Sequence, residues 1–185
     1  MRDLRWEDVS GWFDCEEMGA LPDLRVPGTS AEDWQALLGL VVANGRRHEY
    51  LEGAAVRPLP RAAHVLGRPL GAECPQLRVW PVPGMLAVSR FLGAEEVDFD
   101  VDLREIQGQE RLDLFCGFLR SVGRHLRRPV LMDPEGASLG EWRRWTGLPF
   151  GTAADAPGAL VPVRCEPERG YAVYVEPDVW MRHPL

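Results

Sequence analysis

From Leu77 to Leu103, apolar and polar residues alternate through three short runs. Leu77-Arg78-Val79-Trp80-Pro81-Val82 and the run Met85 to Leu92 are separated by Pro83-Gly84, and Val97-Asp98-Phe99-Asp100-Val101-Asp102-Leu103 follows Gly93-Ala94. A period of two marks strands with one buried face, and both dipeptides permit tight reversals. The pattern therefore predicts a three-stranded antiparallel meander over 77–103. The period then changes. Leu112, Phe115, Cys116, Leu119, Val122 and Leu126 share one stripe of a long helix predicted over 107–127. Glu110 and Asp113 near its start, and Arg124, His125 and Arg127 near its end, suit the helix dipole.

Elsewhere the signals are shorter. Trp34, Leu37, Leu38, Val41 and Val42 recur at helical spacing behind an N-cap at Thr29 or Ser30, and Asn44-Gly45 closes that helix. Strands are predicted at Asp23–Val26, Arg47–Glu52 and Val130–Met132, with a last hairpin of Leu160–Glu166 and Tyr171–Glu176 around Pro167-Glu168-Arg169-Gly170. Residues 53–76 are rich in Pro, Gly and Ala, with one short helix expected near Arg61–Leu66; a second is expected at Glu141–Trp145, before a surface loop at 146–158. Together these imply a single α+β domain over 1–185, with 1–22 as a docked N-terminal extension. Its mainly antiparallel sheet is covered on one face by the long helix and shorter ones.

Composition narrows the functional classes. The chain has 185 residues and a net charge of −7, which disfavours non-specific nucleic-acid binding. All 21 basic residues are Arg, which excludes Schiff-base and P-loop lysines. No apolar run reaches the roughly 18 residues of a membrane span, and acidic residues near Met1 argue against an export signal, so a cytoplasmic location is expected. The four Cys and four His are scattered, without metal-ligand spacing. No nucleophile elbow, dinucleotide fingerprint or P-loop occurs. No cofactor is expected.

If Pro83-Gly84 and Gly93-Ala94 were both two-residue loops, period-two geometry would sort the meander into two faces. One would show Leu77, Val79, Leu86, Val88, Val97, Phe99 and Val101. The other would show Arg78, Trp80, Met85, Ala87, Ser89, Phe91, Glu96, Asp98, Asp100 and Asp102. Six acids and one base lie between Glu95 and Glu105. Such a face can be merely solvated, or it can dock a basic protein, with Glu96, Asp98, Asp100 and Asp102 supplying charge and Trp80 and Phe91 apolar contact.

The docking reading leads. It describes a non-enzymatic protein-binding module, most concretely a bacterial immunity-type protein that neutralises a basic toxin, without nucleic-acid or membrane partners. The first alternative is a divalent-metal enzyme acting on a phosphate ester through Asp98, Asp100 and Asp102. Their spacing imitates the opening of a calcium loop, but Leu103 stands where that loop needs Gly and Gln109 where it needs Glu. The second alternative is a structural or assembly subunit.

Overall fold

The computed structural model describes residues 5–69, 71–128, 130–133 and 135, and the backbone of 159–164 and 171–180. The expected helix at Glu141–Trp145, the loop at 146–158 and the turn at Pro167–Gly170 lie outside the described residues. The fold is α+β. Among the described residues its sheet has nine strands: β1 (Asp23–Pro27), β2 (Arg47–Glu52), β3 (Ala55–Arg57), β4 (Gln76–Val82), β5 (Met85–Arg90), β6 (Glu96–Val101), β7 (Val130–Asp133), β8 (Ala159–Arg164) and β9 (Tyr171–Trp180). They lie in the order β3-β2-β4-β5-β6-β1-β7-β9-β8, every neighbouring pair antiparallel. Strand β1 thus sits between β6 and β7, which run parallel to each other.

The described residues also form helices α1 (Trp6–Val9), α2 (Cys15–Met18), α3 (Ala31–Ala43), α4 (Ala62–Leu66) and α5 (Gln109–Leu126). The stripe on α5 buries Leu112, Phe115, Cys116, Leu119, Val122 and Leu126 in one cluster with Leu77, Val79, Val97, Phe99 and Val101 of the sheet. Helix α3 starts where the capping residues place it. Ser30 and Asp33 form a reciprocal capping box, and Asn44 and Gly45 (φ 60°) end the helix. Three further bonds tie its start to the β5–β6 connection: Thr29 N to Glu95 O, Thr29 Oγ1 to Ala94 O, and Trp34 Nε1 to Gly93 O. Arg128, just past α5, reaches Asp33 at 3.2 Å and joins the two helices. Val9, Trp12, Phe13 and Met18 of the N-terminal segment also enter the core, and Leu103 N donates to Ala20 O.

The alternation holds for β4 and β6 but is inverted for β5. Val82 still opposes Met85 across Pro83-Gly84, yet Val79 opposes Ala87 and Leu77 opposes Ser89. Trp80 and Pro81 therefore share one opposing residue, Leu86. The cause is Pro81, which has no N–H for the ladder and forces a bulge. Leu86 N–H turns instead to Glu105 Oε2 at 2.8 Å. The connection to β6 is also wider than two residues, so Arg90 opposes Asp98 and Ser89 opposes Phe99. A one-residue slip exchanges the faces of a strand. Met85, Ala87 and Ser89 are consequently buried, while Leu86 and Val88 are half-exposed on the polar side, the reverse of the expected assignment. Because the two slips leave β6 in phase with β4, the remaining faces stand.

Trp34 is fully buried, its ring centroid 4.6 Å from that of Phe91. Trp34→Ala should therefore cost about 3–5 kcal/mol of unfolding free energy in urea titrations. Trp34→Phe, which keeps a ring but gives up the bond to Gly93, should cost about 1 kcal/mol. Equal losses would contradict this packing.

Candidate functional site

The polar face of the sheet is built by register. Residues directly opposed across antiparallel strands share a face, so Glu49, Arg78, Val88, Asp100 and Asp23 form one row across β2, β4, β5, β6 and β1. The adjacent row is Gln76, Arg90, Asp98, Arg25 and Leu131. Glu96 lies one step further along β6, opposite Pro27. On β6 and β1 the face therefore carries four carboxylates (Asp23, Glu96, Asp98, Asp100), with two guanidiniums, Arg25 and Arg90, on β1 and β5.

The six residues expected to bind a partner fare differently. Phe91 is in the core, stacked on Trp34 and edge-on to Tyr50 at 5.9 Å, because the β5 inversion turns it inward. It is withdrawn as a contact residue. Trp80 is on the polar face and half-buried, with the Arg47 guanidinium 4.1 Å above its ring. Asp102 lies beyond the end of β6. Its carboxylate accepts from Arg104 N and Nε at 2.9 Å and from Arg104 Nη2 at 2.6 Å, capping the short turn Leu103–Glu105. The Arg104 hydrogen bond holds it below the ordinary carboxylate range. Glu96 accepts from Arg25 Nη1 at 3.5 Å.

Asp100 and Asp98 are the two carboxylates most affected by burial. Asp100 is 9% exposed and accepts from Arg90 Nη1 at 2.5 Å. Burial raises its pKa, and Asp23 and Glu135 add to the rise, while Arg90 opposes it. Asp98 is pushed up to about 6, first by burial and then by the neighbouring Asp100 charge; its own backbone and Arg90 pull the other way. The expected row of free anions is thus a mixed network. Arginines compensate Glu96, Asp100 and Asp102. At the other end the face carries Arg78, Trp80 and an Arg47–Glu49 ion pair at 3.1 Å.

Asp98, Asp100 and Asp102 do not gather around a common point for a cation. Among the described residues, no three His, Cys, Asp or Glu side chains are placed to hold a metal ion. Sequence reading placed Arg78 on this face but missed Asp23, Arg25, Arg90 and Arg47. The alternation Asp23-Leu24-Arg25-Val26 marks a half-buried strand, but nothing local places it beside residues more than 70 positions away. Away from the sheet face, a groove of about 530 Å³ is lined by Trp6, Phe13, Cys15, Arg104 and Gln107.

No protein-family model matches the chain, and no solved structure matches it. Part of the chain is similar to the arginine N-acetyltransferase avaD of Aspergillus versicolor. The two are 35% identical over 63 residues, which cover 26% of this chain and 22% of that protein. The chain therefore spans about a fifth of the length of that curated relative.

A carboxyl whose pKa is raised by folding stabilises the native state most below its unfolded pKa, and that contribution is lost as pH rises through the folded value. For Asp98 the window runs from about 4, the ordinary carboxylate value, to about 6. Asp98→Asn, which carries no charge to desolvate, should therefore be more stable than the parent by about 1–2 kcal/mol near neutral pH and gain nothing near pH 4. Thermal melts across this range check it; a pH-independent difference would contradict it.

Proposed function

We propose that the protein is a protein-binding module whose docking surface is the polar face around β6 and β1, and whose partner presents cations. The observation that carries this reading is the gathering of four carboxylates on adjacent strands of one half-buried sheet face. Glu96, Asp98, Asp100 and Asp23 stand on adjacent strands against Arg25 and Arg90, with Glu135 adding to the negative potential at Asp100. Trp80 at the far end of the face offers a half-exposed aromatic contact. Carboxylates fixed on a sheet present charge without the entropic cost of ordering a flexible tail, and their field accelerates encounter with a basic partner.

The most concrete form is an immunity-type protein that covers the cationic cleft of a toxin, within a cytoplasmic setting. Among the described residues, no helix is long and apolar enough to cross a membrane. Glu96→Arg, at a carboxylate 35% exposed, should weaken binding of an arginine-rich peptide about tenfold at low salt, whereas Glu7→Arg, on the exposed α1, should not. Fluorescence polarisation reads both variants. Equal affinities, or binding indifferent to salt, would contradict the docking face.

The partial similarity to avaD favours a second reading, acetyl transfer to a guanidinium-bearing substrate. Incubation with arginine and acetyl-coenzyme A, followed by mass spectrometry, discriminates between them. The docking reading expects no acetylated arginine above the enzyme-free control, and turnover would replace it.

A further inference from the structure

The groove beside the N-terminal segment is formed by two distant parts of the chain, and side chains near the start of α5 tie them together. Trp6 N donates to Gln109 Oε1 at 2.6 Å, and Gln107 Nε2 donates to Phe13 O at 3.2 Å and to Leu103 O at 2.8 Å. The volume of about 530 Å³ lies within the range of about 300–1,000 Å³ usual for small-molecule sites. Two aromatic rings line it. Trp6 is half-buried, its centroid 5.6 Å from that of Phe13, and Phe13 is fixed edge-on to Phe115 in the core. A flat apolar group therefore has an ordered aromatic surface to lie against.

Arg104 also lines the groove, and its guanidinium is oriented before any ligand arrives. Nε donates to Asp102 Oδ1 at 2.9 Å and Nη2 donates to Oδ2 at 2.6 Å, while Arg104 N holds the same carboxylate at 2.9 Å. This pairing uses one donor edge of the guanidinium and leaves the other, with Nη1, directed away from Asp102. Among the described residues Nη1 makes no hydrogen bond, and the Arg104 side chain is 72% exposed. The lining carboxylate, Asp14, turns its Oδ1 to Glu16 N as the cap of α2.

We propose that this groove is a binding site for a small aromatic carboxylate, with the ring against Trp6 and Phe13 and the carboxylate on the unused edge of Arg104. The Asp102 pair offsets much of the Arg104 charge at long range, so recognition rests on directed donors and ring contact at short range. A ligand without the ring forfeits the apolar contact, and one without the carboxylate leaves the strongest donor on the wall to water. The groove lies away from the sheet face, so the two sites can be tested apart.

The test uses the full chain and 2-naphthoate. Saturation-transfer NMR reads affinity, and iodoacetamide alkylation followed by peptide mass spectrometry reads where the ligand sits. The parent should bind with a Kd of about 1 mM or tighter. Bound ligand should protect the half-buried Cys15, which lines the groove, and leave the exposed Cys74 unprotected. Arg104→Gln, at an exposed position that should leave the melting curve unchanged, should weaken 2-naphthoate about tenfold and change the affinity of the neutral 2-naphthamide little. Absent binding, or equal protection of Cys15 and Cys74, would overturn the site. Binding of 2-naphthoate indifferent to Arg104→Gln, or equal to that of 2-naphthamide, would overturn the carboxylate contact and the proposal with it.

Discussion

Placing two guanidiniums and four carboxylates on one partly buried sheet face imposes a condition on everything around it. Each charge withdrawn from water must find an opposite charge or a hydrogen-bond partner, or its proton-binding equilibrium shifts toward the neutral form. Arg90 meets that condition for Asp100 and Arg25 for Glu96. Asp98 lies between the two arginines and two other acids, and burial together with the neighbouring Asp100 charge pushes it up to about 6. The candidate site is therefore best described as a network with one poorly compensated member, at the centre of a sheet whose other side is largely apolar.

That network exists because of topology. Strand β1 enters between β6 and β7, so that Asp23 and Arg25 come to lie beside Asp98 and Asp100. The same insertion brings the start of α3 against the connection between β5 and β6, where Thr29 and Trp34 bond the backbone at 93–95. The core face and the polar face are thus fixed by one element. Leu24 and Val26 of β1 are fully buried on the helix side, and Arg25 is buried on the other.

What the sequence revealed follows the range of the interactions involved. Helices α3 and α5 were legible because the N-cap of α3 and the apolar stripes of both lie within a few turns of chain, and the observed bounds fall within a few residues of those expected. The faces of β4 and β6 were legible from their alternation. The face of β5 was not, because Pro81 introduces a bulge and a single-residue slip exchanges core and surface. Phe91 was misplaced for that reason. The arginines that temper the acidic strand were hidden differently. Arg90 belongs to the misassigned strand, and Arg25 reaches Glu96 across 71 positions of sequence, a distance that periodicity does not bridge. A row of acids in one strand therefore overstated the free charge of the face.

The central claim is that Asp98 sits in a half-buried, under-compensated environment. The most direct measurement is a carbon-13 NMR titration of side-chain carboxyls, assigned through Asp98→Asn. A midpoint for Asp98 near 6, well above that of the Arg104-paired Asp102, is the predicted result. A midpoint at or below the ordinary carboxylate value of about 4 would show Asp98 hydrated or paired, and would contradict the account.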